Sequence, residues 1–138
     1  MTPLQLRLLF PSAPTFIGGA DYALPTLAWL QGPFWDYFKG ELWDDNLDKW
    51  QVRWECRDFA RAFATFAQVC NALTPVALAG TDALAIGEFW YHIGGDPATG
   101  HAINVCMTDQ GQVFIEPQNG QQVHLTDVEI SSCFFVRF

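Results

Sequence analysis

Cys56, His101 and Glu116 are three side chains whose types and chain order could do chemistry together. A thiol that attacks carbonyl carbon needs a base to take its proton, and an imidazole in that role needs a third group to hold its ring. Cys56 falls in KWQVRWECRDFARAFATFAQVCN, residues 49–71, where Cys56, Phe59, Ala60, Phe63, Phe66, Ala67 and Cys70 recur at three- and four-residue steps. That period predicts a helix with one buried face and with the cysteine in its first turn. The unpaired N–H groups and the dipole at that end favour thiolate over thiol. Against this stands the commoner fate of a cysteine on an apolar stripe, which is to be core.

His101 opens the stretch HAINVCM, and Thr108-Asp109-Gln110-Gly111 is the turn that places its partner strand. With Asp109 and Gln110 as the loop, Thr108 faces Gly111, Met107 faces Gln112, and the register runs back to His101 across from Gln118. His101 and Glu116 are then diagonal neighbours on one face, about 7–8 Å between backbones and within reach of a carboxylate side chain. Acyl transfer also needs donors for the developing oxyanion. Gln51, five residues before Cys56, and Gln118 are the two candidates.

These residues need a helix and a sheet to carry them. Gln5 to Phe10 predicts a short strand, and the aromatic-rich residues 22–43, broken by Pro25, Gly32-Pro33 and Gly40, predict short helical pieces whose rings cover the central helix or wall a cleft. Thr74-Pro75 ends the central helix near Asn71. Residues 76–84 are mixed. From Ala85 onward, AIGEFWYHI, HAINVCM, QVFIEPQNG, VHL and CFFVRF alternate with Gly-containing turns and predict antiparallel strands. The expected class is α+β, helices first and strands after, with the Cys-bearing helix laid on the sheet, in a single domain over residues 1–138.

Fifteen acids against seven bases give a charge of −8, with no basic cluster to neutralise a run of phosphates, so nucleic-acid binding is not expected. No apolar stretch approaches the roughly 20 residues that span a bilayer. The opening MTPLQLRLLFPSAPTF, interrupted by Pro3, Pro11 and Pro14, lacks the pattern of an export signal. Cys56 and Cys70 on one helix would be roughly 21 Å apart, beyond disulfide reach. With no CxxC or HxxxH and scattered histidines, the four cysteines read as free thiols in a reducing, cytoplasmic compartment, without structural zinc. Glu41, Asp44, Asp45, Asn46 and Asp48 form the densest acidic patch. It reads first as capping groups before the helix and second as a calcium site, although the spacing is not that of the twelve-residue calcium loop.

The combination WECRDFA, GHAINV and VFIEPQNG resembles papain-like and transglutaminase-like cysteine hydrolases. It is most similar to the papain-fold cysteine peptidase domain of the Marasmius oreades agglutinin family, over residues 50–120. That resemblance implies catalytic roles for Cys56, His101 and Glu116, a place for Gln118 beside them, and activation by calcium, with no metal ligand matched residue by residue. Asp58 is a further carboxylate near the nucleophile. The function expected is a cysteine-dependent hydrolase of amide bonds in a protein or peptide substrate, as peptidase or deamidase. Transglutaminase-type acyl transfer is the variant chemistry. The competing class is a non-catalytic binding module whose Trp- and Phe-rich surface meets a partner.

Overall fold

The computed structural model describes residues 1–18, 21–73 and 83–138. Most of residues 76–84 therefore lies outside the described part. In chain order the elements are α1 (Pro3–Leu9), β1 (Thr15–Phe16), β2 (Tyr22–Ala23), α2 (Leu27–Gln31), α3 (Pro33–Asp44), α4 (Cys56–Leu73), β3 (Ala83–Leu84), β4 (Ile86–His92), β5 (Gly100–Thr108), β6 (Gly111–Glu116), β7 (Gln121–Val123), α5 (Asp127–Ser131) and β8 (Phe135–Arg137). A six-stranded sheet runs in the order β1-β8-β4-β5-β6-β7, and β2 pairs with β3 beside it.

Helix α4 buries Phe59, Ala60, Phe63 and Ala67, the stripe its three- and four-residue spacing dictates, and packs on β4 and β5. Phe63 and Phe38 of α3 meet edge to face with ring centroids 5.3 Å apart, and Phe34 caps the same cluster with Leu30. Asn104, fully buried on β5, ties helix to sheet by donating to Ala60 O at 2.8 Å and Gly87 O at 3.1 Å. A second core of Leu6, Phe89, Ile103, Val105, Phe114 and Val136 covers the other face of the strands. The β5–β6 register is the one the turn chemistry predicts, with Thr108 opposite Gly111 and Met107 opposite Gln112.

The order of helices first and antiparallel strands after does not hold. Gln5 to Phe10 lies in and just beyond α1 rather than in a strand, because Thr2 and Gln5 form a capping box and Pro3 occupies the first turn. A strand from the N-terminal part, β1, enters the sheet in parallel with β8, and α5 follows β7. Helix α4 begins at Cys56 and not at residue 49. Gln51 and Trp54 exchange backbone hydrogen bonds of 3.0 and 2.9 Å, closing a tight turn that holds the preceding residues out of the helix.

The acids expected to cap α4 sit elsewhere. Glu41 and Asp44 lie in the last turn of α3 and Asp45 follows it. Asn46, at φ 57°, takes the left-handed position that ends the helix, and Leu47 N–H donates to Leu42 O at 2.7 Å. The carboxylate that serves α4 is Asp58, which accepts from Glu55 N–H at 3.0 Å.

Candidate thiol-imidazole site

Cys56 is the first residue of α4 and only half-buried, so its sulfur stands where the helix N–H groups point and solvent still reaches. His101 is the second residue of β5 and Glu116 the last of β6. His101 Nε2 lies 2.7 Å from Glu116 Oε2, and the Cys56 side chain hydrogen-bonds to His101. The structure thus brings together the three side chains the sequence singles out.

The electrostatics follow from that line. Hydrogen bonding to His101 is the main cause holding the Cys56 thiol below its ordinary value; partial burial opposes it, and the backbone N–H of Ala102, the His101 charge and the backbone N–H of Arg57 add to it. His101 is pushed up to about 9, first by its bond to Cys56 and then by Glu116, against the cost of burial. Both shifts favour the thiolate–imidazolium form of the pair over its neutral form. The other three thiols behave oppositely: burial raises Cys70, lifts Cys133 to about 11, and drives fully buried Cys106 higher still.

The two expected oxyanion donors are engaged elsewhere. Gln51, exposed in its turn, donates Nε2 to Asn46 O at 3.0 Å. Gln118 donates both its backbone N–H and Nε2 to Glu116 Oε1, each at 3.2 Å, so it fixes the carboxylate and leaves Oε2 to His101. This holding role is not readable from composition, although the Asn119-Gly120 turn that creates it is. Gly120 has φ 72°, and a Cβ there would come within 2.4 Å of the Trp35 ring, so indole and turn are in close contact. Beside the turn a cavity of about 290 Å³ opens between α3 and the β6–β7 connection. Among the described residues no three His, Cys, Asp or Glu side chains converge as a metal site. No described helix is long and apolar enough to cross a membrane.

No family model matches the chain, and no curated protein matches it either. Solved structures do. Polyporus squamosus lectin bound to the human-type influenza-binding epitope Neu5Acα2-6Galβ1-4GlcNAc shares 18% identity at a TM-score of 0.72, covering 100% of this chain and 49% of that one. PSL1a in complex with E64 shares 17% identity at a TM-score of 0.74, covering 100% of this chain and 50% of that one. The chain therefore spans about half the length of the solved structures it matches, and at this identity the likeness is one of fold.

These matches correct the expected assignment. They bear the name of a lectin and not of a papain-like peptidase domain, so the papain-like or transglutaminase-like family and fold class are replaced by the fold of the half of that lectin structure the chain covers. The hydrolase, cysteine-protease and catalytic-triad designations, with their protein or peptide substrate, fall with them. The geometry offers a physical reason in the same direction, since neither Gln51 nor Gln118 presents the amide donor that the hydrolase reading asks of it.

Proposed function

We propose that this chain is a binding module that captures an electrophilic ligand on Cys56, stoichiometrically and without turnover. The observation that carries the reading is the Cys56–His101–Glu116 line, which holds one half-buried thiol below its ordinary pKa while burial raises the other three. In the capture step the thiolate sulfur attacks the ligand's electrophilic carbon. A C–S bond forms as the bond from that carbon to its leaving group breaks, and the leaving group departs with the electron pair. His101 stands ready to donate a proton to a basic leaving group. Two names support a ligand-binding role for the fold: a lectin bound to a sugar epitope, and PSL1a in complex with E64.

Intact-mass spectrometry after brief exposure to iodoacetamide at neutral pH, and in parallel to E64, tests the reading. One adduct, mapped to Cys56 and lost in His101→Ala, is the expected result. Four equally slow thiols would overturn it, and so would repeated release of product from an amide substrate, which is turnover rather than capture.

A further inference from the structure

The cavity between α3 and the β6–β7 turn has a lining that selects for a particular kind of ligand. Trp35, Lys39 and Trp43 stand four residues apart on α3, so one stripe of that helix presents two indoles with an ammonium between them. Facing them are Asp48 and the turn residues Gln118 and Asn119. Two of these polar groups are already half engaged. Gln118 Nε2 is held by Glu116, and Asn119 Oδ1 accepts from Gln121 N–H at 2.9 Å. What remains among the described residues is two donors, Lys39 Nζ and Asn119 Nδ2, and two acceptors, Gln118 Oε1 and the Asp48 carboxylate.

We infer that this cavity binds a neutral sugar ring, its C–H face on the indoles and its hydroxyls on those four groups. The inference rests on the binding reading and names its ligand class. A purely aromatic ring would suit the indoles but would desolvate four polar groups without partners. A charged ring would meet one like charge for each opposite one. Hydroxyls both donate and accept, so a sugar edge satisfies the mixed set. About 290 Å³ is at the lower edge of small-molecule clefts, which run from about 300 Å³, and suits one ring rather than a chain. Gln118 belongs to both places: its Nε2 holds Glu116, and the residue lines the cavity.

The test is tryptophan fluorescence and NMR titration with methyl α-D-glucopyranoside and methyl β-D-galactopyranoside, with N-acetyl-L-phenylalanine amide as the aromatic comparison. A saturable response to at least one glycoside is expected, with a Kd of about millimolar, and at least about tenfold weaker in both Trp43→Ala and Asp48→Asn. Trp43 is 62% exposed, so its removal leaves the core intact. No saturation with either glycoside, an undiminished response in Trp43→Ala, or tighter binding of the aromatic amide would overturn the inference. Alkylation of Cys56, measured on the same samples without sugar, reports separately on capture. An unreactive Cys56 alongside glycoside binding that depends on Trp43 and Asp48 overturns capture and supports the pocket.

Discussion

His101 Nε2 and Glu116 Oε2 lie 2.7 Å apart although their residues are not paired across the ladder. The β5–β6 pairing extends to Asn104 opposite Ile115, and Glu116 pairs instead with Gln121 of β7. The carboxylate reaches His101 along the diagonal, and it can do so with a fixed rotamer because Gln118 grips its other oxygen. Tyr91, directly opposite His101, sets its ring edge-on to the imidazole at 5.9 Å between centroids. The imidazole is thus held by a carboxylate, flanked by a phenol and coupled to the Cys56 side chain.

His101→Ala removes the first cause of the lowered Cys56 pKa and should slow iodoacetamide alkylation of Cys56 at neutral pH by about tenfold or more, each unit of pKa being a factor of ten in thiolate. Glu116→Gln keeps shape but not charge, so it should slow the reaction less than His101→Ala does. A rate unchanged by either substitution would show that the sulfur is not activated by this line.

The pH dependence has a definite sign. His101 is raised to about 9, so the stability it contributes is fully present below its unfolded value of about 6.5 and is lost as pH climbs through about 9. Cys56 is lowered, so its contribution is present above its unfolded value and is lost as pH falls through the folded one. NMR titration of the His101 ring should give a midpoint near 9. In Cys56→Ala the largest cause is removed and the midpoint should fall, yet stay above the ordinary histidine value while Glu116 remains. A midpoint identical in the two proteins would refute the sulfur–imidazole contact.

What the sequence makes legible here is local and periodic. The α4 stripe from Phe59 to Ala67 and the Thr108–Gly111 turn are each set by neighbours within a few residues, and both appear in the structure as their spacing dictates. The juxtaposition of Cys56, His101 and Glu116 was approachable because it required one helix start and one hairpin register. What escaped was long-range or competitive. A capping box at Thr2 outweighed the strand-like look of Gln5 to Phe10, and β1 reached β8 across the length of the chain. The fate of Gln51 was set by Asn46, a turn acceptor that no pattern of period two or 3.6 announces. Fold identity was harder still, since a motif can look like one family while the whole chain superposes on about half of a lectin structure.

A buried charge outside the site offers a control. Glu88 on β4 is 1% exposed and accepts from Arg61 at 3.4 Å, from Trp90 Nε1 at 3.2 Å and from Arg137. It joins α4, β4 and β8. Glu88→Gln leaves two arginines without their carboxylate and should cost about 1–3 kcal/mol, since the guanidinium groups retain partial access to water. Chemical denaturation would measure this, and the alkylation rate of Cys56 should be unaffected. A large loss of reactivity in Glu88→Gln would mean that the thiol depends on global rather than local order.

The most revealing substitution is Gly120→Ala, because it touches no reacting atom. At φ 72° an alanine is strained whatever space surrounds it, and its Cβ would meet the Trp35 ring at 2.4 Å, so the turn or the indole must move. Gly120 N–H donates to Glu116 O at 2.8 Å and Asn119 N–H to the same carbonyl at 3.3 Å, so moving the turn shifts the residues that grip the carboxylate. A loss of about 1–3 kcal/mol is expected from overpacking and strain together. Cys56 alkylation should slow in parallel, and the His101 midpoint should fall. The variant Trp35→Leu, which relieves the clash while keeping an apolar side chain, should restore part of both in the double substitution. If Gly120→Ala lowers the melting temperature but leaves the His101 midpoint where it was, the turn supports the sheet alone and Gln118 does not transmit its position to the imidazole.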